Sequence, residues 1–164
     1  MRKPIEYEII QNPVLGAAAL TQAVIEYREA RDEGMQLALV MVVLPMVFHK
    51  ETTEFIAGMN KVGGGLRKAI GQDRTLSVGL QERMEKMAGL SFAALNVAVS
   101  CKKCLTLDVG TEILVIPCRK TLPVEDMGYA NGDGREILKA AMRVGYWLGS
   151  YSMTAICRQL DLRF

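Results

Sequence analysis

The stretch that most constrains the fold is an uninterrupted apolar run of twelve residues, Leu37 to Phe48, bounded by Gln36 and His49. A membrane-spanning helix needs about 20 apolar residues, so this run is too short to cross a bilayer. Because it has no polar face, other parts of the protein must cover it on all sides. Its length favours a helix over a strand, and Pro45 predicts a kink or an end near its carboxyl terminus. The run therefore predicts a central helix.

The flanking segments supply amphipathic helices that can cover this central helix. Asn12 and Pro13 predict a helix start, because Asn12 can accept hydrogen bonds from free N–H groups and Pro13 loses none at the first position. Gly34 is expected to end that helix, and Thr52 or Thr53 to cap the amino terminus of a short one. Further helices are expected after the turn at Gly63 to Gly65, from Ser77 to Gly89, from Ser91 to about Lys102, and twice within residues 135–162.

After residue 104 the apolar pattern changes from a helical period to alternation. Leu105 and Leu107 alternate with polar residues, Gly110 supplies a turn, and Glu112 to Ile116 is an apolar, β-branched run. This pattern predicts a β-hairpin at about residues 104–117, and a loop is expected over 121–134. Helices followed by a hairpin are typical of a winged helix-turn-helix. The predicted fold class is thus mainly α with one β-hairpin: a single winged-helix-like helical domain over residues 1–164, with additional N- and C-terminal helices.

The helix expected from Ser91 to about Lys102 would occupy the recognition position of such a fold. Phe92, Leu95 and Val99 are expected to form its buried stripe, whereas its remaining surface is rich in alanine and valine. Reading DNA bases would require Arg, Asn or Gln there. A protein-binding winged helix therefore fits the sequence better than one that reads bases.

Charge also limits nucleic-acid binding. The chain has 20 basic and 18 acidic residues, so it lacks the strongly basic field of a stand-alone nucleic-acid binder. Any contact with nucleic acid would come from local basic patches near the hairpin and the glycine turn, and a solvated surface explains the same residues at least as well. The candidates are Lys61, Arg67, Lys68, Lys102, Lys103, Arg119 and Lys120.

No arrangement of residues suggests catalysis. His49 is the only histidine, so the chain cannot build a histidine-based triad or a two-histidine metal site by itself. The carboxylates, Glu26 among them, are expected on solvated helix faces among Lys and Arg. The sequence therefore predicts a protein that is not an enzyme and has no cofactor. No signal stretch is apparent, so we expect it in the cytoplasm.

The four cysteines do not change this prediction. Cys101 and Cys104 have the spacing of zinc-binding and redox pairs, but Cys118, Cys157 and His49 offer no second pair of ligands at short spacing. A redox pair is expected at a helix amino terminus, where the helix dipole lowers a thiol pKa, and this pair follows a predicted helix instead. Small buried or half-buried thiols are the simpler interpretation.

Three segments, taken in order, resemble a known family. They are Asn12 to Ala17 (NPVLGA), Leu44 to Lys50 (LPMVFHK) with Thr52, Thr53 and Glu54 after it, and Lys139 to Trp147 (KAAMRVGYW). The likeness continues through Thr154 to Ile156 and on to Leu160 and Leu162. Together these segments resemble the middle component of bacterial three-component ABC systems. The arrangement of three components in these systems is similar to that of Lamassu-type antiphage defence.

The resemblance implies a small winged-helix-like accessory protein that works with an SMC- or Rad50-like ABC ATPase and a third, effector-bearing subunit. Such a protein would bind the ATPase, help it to sense or hold DNA, and restrain the effector, with no catalytic residue of its own. The resemblance marks Asn12, Pro13, Pro45, His49 and Trp147 as structural or partner-interface positions. The alternative is a free-standing winged-helix transcription regulator that binds its own promoter as a dimer.

Overall fold

The structure is a computed structural model that describes residues 12–101, 103–123 and 132–164. These residues form seven α-helices and one three-stranded antiparallel sheet. The helices are α1 (Pro13–Arg31), α2 (Leu37–Val47), α3 (Lys50–Gly58), α4 (Leu66–Gln72), α5 (Leu80–Ser100), α6 (Asp133–Gly149) and α7 (Met153–Leu160). The strands are β1 (Met35–Gln36), β2 (Leu105–Val109) and β3 (Ile113–Pro117), and a 3₁₀ turn spans Arg74–Leu76. The mainly helical fold with a β-hairpin is therefore confirmed.

Helix α1 begins as its sequence predicts. The side chain of Asn12 accepts a hydrogen bond from the backbone N–H of Val14 at 2.8 Å, and Pro13 occupies the first position. The predicted end at Gly34 is wrong, because the helix stops at Arg31 and Asp32 takes the left-handed conformation with φ 58°. Gly34 instead lies under the hairpin, where an added Cβ would be 3.0 Å from the Cβ of Leu114.

The apolar run forms the central helix α2, and eight of its eleven residues are buried. Pro45 lies in its last turn, and the helix ends two residues later. Thr52 and Thr53 do not cap the amino terminus of α3 with a side-chain acceptor, so that prediction is wrong. Their hydroxyls donate to the carbonyls of Met46 at 2.7 Å and Val47 at 2.6 Å. The carbonyls at the buried end of α2 have no partner within the helix, and these hydroxyls supply the donors that they need.

Helix α5 is continuous from Leu80 to Ser100, so the break predicted at Gly89 is wrong. A mid-helix glycine costs only about 1 kcal/mol relative to alanine, which packing on both sides of it offsets. The helix starts after Gly79 rather than at Ser77. Phe92 was expected in the buried stripe, yet it is 54% exposed. The buried residues of this segment are Ser91, Ala94, Leu95 and Ala98.

The predicted hairpin is present, and it belongs to a sheet in the order β1-β3-β2. Its register pairs Leu105 with Pro117 and Val109 with Ile113. Strand β1, which the sequence pattern does not predict, pairs with β3 through Met35 and Val115. Two residues are too few to show an alternating pattern. The sheet thus ties the hairpin to the segment between α1 and α2, and β2 lies at its edge.

Helices α1 and α6 make the most extensive interhelical contact of the fold. Gly145 allows the two backbones to touch, since an added Cβ would lie 2.0 Å from the carbonyl oxygen of Ala23. The closing helices α6 and α7 are confirmed, with Ser152 capping α7. Of the loop expected over 121–134, residues 124–131 lie outside the described residues, and α6 already begins at Asp133. A single cluster of buried side chains draws on every helix and strand.

Candidate interaction surfaces

The positions marked by the resemblance mostly hold the scaffold together. Asn12 and Pro13 start α1, and Pro45 is buried, with its carbonyl accepting a hydrogen bond from Arg83 Nε at 3.2 Å. Trp147 is 1% exposed, and its indole N–H donates to the carbonyl of Lys61 at 3.1 Å. These contacts lie inside the chain and in different parts of the fold. They do not form one surface.

His49 immediately precedes α3 and is half-buried. Its carbonyl is a second acceptor for the hydroxyls of Thr52 at 2.9 Å and Thr53 at 2.8 Å, each of which has one proton that it shares between His49 and the end of α2. Its ring atom Nδ1 is buried and has no hydrogen-bond partner within the described part of the chain. The backbone of His49 therefore has a clear structural role at the α2–α3 junction, whereas a role for its ring in partner binding stays a prediction.

Lys61 forms an ion pair rather than a free basic patch. Its ammonium lies 2.7 Å from the carboxylate of Glu26 and 3.4 Å from that of Glu29, and 5.2 Å from the centre of the Tyr146 ring. Glu26 is only 5% exposed, so its predicted place on a solvated face is wrong. Burial raises the pKa of Glu26 despite the neighbouring ammonium. Burial opposes the charge of Lys61 as well, but the two carboxylates outweigh it and raise the pKa of Lys61.

Two hydrogen bonds from side chains of α6 hold the segment between α3 and α4 against that helix. The Arg143 guanidinium donates to the carbonyl of Met59, and Trp147 donates to that of Lys61. Burial lowers the pKa of Arg143, though neighbouring carboxylates oppose that shift. Gly64 fits here because an added Cβ would lie 2.1 Å from the carbonyl oxygen of Asn60. The cationic side chains of Lys61 and Arg143 therefore interact with other groups of the same chain.

The other predicted basic residues fall into two separate groups. Arg67 and Lys68 are exposed on the first turn of α4. Lys103, Arg119 and Lys120 are exposed near the base of the hairpin, whereas Lys102 lies outside the described residues. Because the backbone N–H of Cys118 donates to the carbonyl of Cys104 at 2.9 Å, the residues flanking that pair share one end of the hairpin.

An open cleft separates Arg119 and Lys120 from the carboxyl-terminal half of α1. Its α1 side carries Arg28, Glu29 and Asp32. Both signs of charge thus line the cleft, so it has no uniform positive field for a phosphate backbone. The hairpin base offers a mixed polar surface.

The outer face of α5 is poor in free cations. Lys86 is bound to Glu82 at 2.6 Å, and the half-buried Arg83 donates to the carbonyls of Pro45 and Val78. Burial lowers the pKa of Arg83. No Lys or Arg occurs between residues 87 and 101. The carboxyl-terminal half of this face exposes Gly89, Phe92, Ala93, Asn96 and Ser100.

The hairpin carries a second exposed apolar surface, which is not among the surfaces predicted from the sequence. Leu107, Val109 and Ile113 are exposed by 41%, 71% and 39%. The signal was available, because the apolar alternation of β2 continues up to the turn and the apolar run of β3 begins directly after it. What the alternation could not show is how far along the hairpin the helices reach.

Comparison with known protein families identifies the family of the chain. Residues 2–164 match the model of MC3, described as ABC-three component (ABC-3C) system Middle Component 3. The chain belongs to this family. As a middle component, it is one part of a multi-component ABC system, which is consistent with an accessory subunit and implies protein partners. No curated protein and no solved structure matches the chain.

The positions of the cysteines in this middle component give little support to a zinc site or a redox pair. Cys101 and Cys118 are exposed, and Cys104 is half-buried. Burial raises the pKa of the Cys104 thiol, and its hydrogen bond with Cys101 acts in the same direction. Within residues 12–101, 103–123 and 132–164, no three acidic, cysteine or histidine side chains are grouped to hold a metal. None of the helices in those ranges has the length and apolarity to cross a membrane.

Proposed function

We propose that this middle component is a non-catalytic accessory subunit that binds an SMC-like ABC ATPase in the cytoplasm. In an antiphage defence complex with the three-component arrangement of Lamassu systems, it would support DNA sensing by the ATPase and restrain the effector. The observation that carries the proposal is the outer face of α5, which presents an exposed Phe92 and no free cation in its second half. Such a face suits a protein partner.

The position of α5 supports this proposal. It directly precedes the hairpin, and β1 joins that hairpin from between the first two helices, which is an order compatible with a winged helix. DNA binding by a recognition helix depends on Lys and Arg against phosphates and on Arg, Asn or Gln against bases. Asn96 alone meets that description among the exposed residues of the second half of α5. An exposed aromatic side chain is instead typical of the anchors of protein interfaces.

The test is co-expression with the ATPase component encoded in the same system, followed by affinity purification through the ATPase. The wild-type chain is expected to co-purify, and Phe92→Asp to bind at least about tenfold more weakly. Val62→Asp is the matched control, since Val62 is 69% exposed and lies on the segment before α4. If the wild-type chain never binds the ATPase, the adaptor role is refuted.

The alternative function is a free-standing winged-helix transcription regulator. It is favoured by the exposed cations Lys103, Arg119 and Lys120 at the hairpin base. It predicts that the isolated chain shifts duplex DNA from its own promoter in a gel and that moderate salt abolishes the shift. The adaptor proposal predicts weak or no shift without the ATPase. A specific shift lost in a triple Glu variant of these cations would favour the regulator.

A further inference from the structure

The apolar face of the hairpin extends beyond the core of the domain. Leu105 and Val115 lie on this face next to the helices and are 1% and 0% exposed. Leu107, Val109 and Ile113 continue the same face toward the turn, since side chains alternate along each strand. Their exposure shows that the helices cover only the base of the hairpin. An apolar surface that continues from the core into solvent is typical of a binding surface.

The edge of β2 is open along the same stretch. Strand β3 lies between β1 and β2, and the outer edge of β2 pairs with none of the strands that the structure describes. The bonds from Cys118 N–H to Cys104 and from Gly110 N–H to Glu112 fix the register at both ends of the hairpin. Antiparallel pairs alternate between bonded and non-bonded. The N–H and C=O groups of Leu107 and Val109 therefore point away from β3.

This edge has little of the usual protection against strand pairing, since Asp108 is its one charged residue. Natural edge strands are commonly blocked by lysine, proline or a bulge. Strand β2 reads Leu-Thr-Leu-Asp-Val, without lysine or proline, and its pairing with β3 runs without interruption. The main-chain groups of Leu107 and Val109 are thus available to an additional strand.

The charge of the hairpin indicates which kind of partner segment its edge can bind. No Lys or Arg occurs between residues 105 and 118. Asp108 lies between Leu107 and Val109, the two residues whose main-chain groups point away from β3. Asp108 makes no ion pair with other residues that the structure describes, and Glu112 accepts a hydrogen bond from Gln36 at 3.1 Å. Phosphate would be repelled here. A second copy of β2 would bring no basic side chain to Asp108.

We propose that β2 binds an extended segment of the system's ATPase by strand addition. In this segment, apolar residues alternate with Lys or Arg. Main-chain hydrogen bonds would form with Leu107 and Val109, apolar side chains would cover the exposed face, and a basic side chain would lie beside Asp108. This inference rests on the proposed function, because it assumes that the ATPase is the partner.

The experiment measures binding of the co-expressed, purified ATPase to three variants of the full chain. Val109→Lys removes an apolar contact and adds a charge that repels a basic segment, and Asp108→Lys reverses the selecting charge. Each is expected to weaken binding about tenfold or more. Val78→Lys is the matched control, because Val78 is 68% exposed and Val109 is 71% exposed. All three substitutions are exposed, so thermal unfolding is expected to stay close to that of the wild type.

The possible outcomes separate this inference from the adaptor role. If the wild-type chain does not bind the ATPase, both are overturned. If it binds and the variants at 108 and 109 bind as tightly as Val78→Lys, strand addition is overturned and the adaptor role stands. If sedimentation shows that the chain alone is a dimer and that Val109→Lys dissociates it, β2 pairs with a second copy and the inference is wrong. Selective loss of binding in the 108 and 109 variants supports it.

Discussion

Replacing Gly145 by alanine would place a methyl group where α6 touches α1. An ideal Cβ there lies 2.0 Å from the carbonyl oxygen of Ala23 and 2.6 Å from its Cα. Non-bonded heavy atoms prefer separations of about 3.5–4.0 Å, so the two helices would have to move apart by about 1 Å or more. Because the opposing atoms belong to the backbone of a buried helix, no side-chain rotation relieves the clash.

Two opposing effects set the size of the change in stability. Alanine gains about 1 kcal/mol over glycine in a helix interior. Overpacking a closely packed core costs about 1–3 kcal/mol, and the backbone contact at Gly145 argues for the upper end. The expected net loss for Gly145→Ala is about 2 kcal/mol. For a chain of 164 residues, that loss lowers the melting temperature by about 4–8 °C.

The assay is urea unfolding of the full chain followed by circular dichroism at the helix band. Gly89→Ala is the matched control, because Gly89 lies inside α5 and an added Cβ would meet nothing within 4 Å. It is expected to raise the free energy of unfolding by about 0.5–1 kcal/mol. If Gly145→Ala were as stable as the wild type, the proposed backbone contact between α1 and α6 would be refuted.

Three further predictions concern buried groups. Because burial raises the pKa of Glu26, its contribution to stability is present below the ordinary glutamate pKa and is lost as pH rises through the raised value. The free energy of unfolding of the wild type relative to Glu26→Gln should therefore fall as the pH rises above the ordinary glutamate value of 4.5. Trp147→Phe removes the indole donor to the Lys61 carbonyl and part of a buried ring, so we expect a loss of about 2 kcal/mol in urea unfolding. Cys101 should react with maleimide before Cys104, since burial raises the pKa of the latter thiol, and mass spectrometry of partly labelled protein measures the order.

Each of these predictions has a control within the chain. Glu29→Gln is the matched control for Glu26→Gln, because the Glu29 side chain also faces Lys61 but is 59% exposed. Equal pH profiles for the two glutamine variants would contradict the burial of Glu26. Tyr146→Phe, which keeps the ring that faces Lys61 and removes only its hydroxyl, should cost less than Trp147→Phe. Labelling of Cys104 ahead of the exposed Cys118 would show that the hairpin base is open.

Local signals predicted much of the fold. The start of α1 depends on Asn12 and Pro13 alone, so the sequence was sufficient. The apolar run from Leu37 predicted the central helix because its length and composition admit few other structures. The hairpin followed from alternation over its own residues. Strand β1 could not be predicted in this way, because its two residues are a strand only by pairing with Val115, far along the chain.

The errors arose where tertiary contacts outweighed local preference. Gly89 lies within a helix because packing on both sides stabilises it. Thr52 and Thr53 donate to the preceding helix instead of capping their own. Glu26 is buried because Lys61, 35 residues away in the sequence, supplies the opposite charge. Composition predicted the absence of a base-reading surface on α5, but the exposed half of the hairpin becomes visible only once the limits of the core are known.

The pairing of α1 with α6 also sets the timing of folding. Helix α1 ends at Arg31 and α6 begins at Asp133, about 100 residues later. At about 5–20 residues per second, a ribosome would need about 5–20 s to add the intervening chain. During that interval the side of α1 that contacts Gly145 in the folded chain is not yet covered by α6. Docking of α6, rather than closure of the hairpin, is then the step that completes the most extensive helix contact of the core.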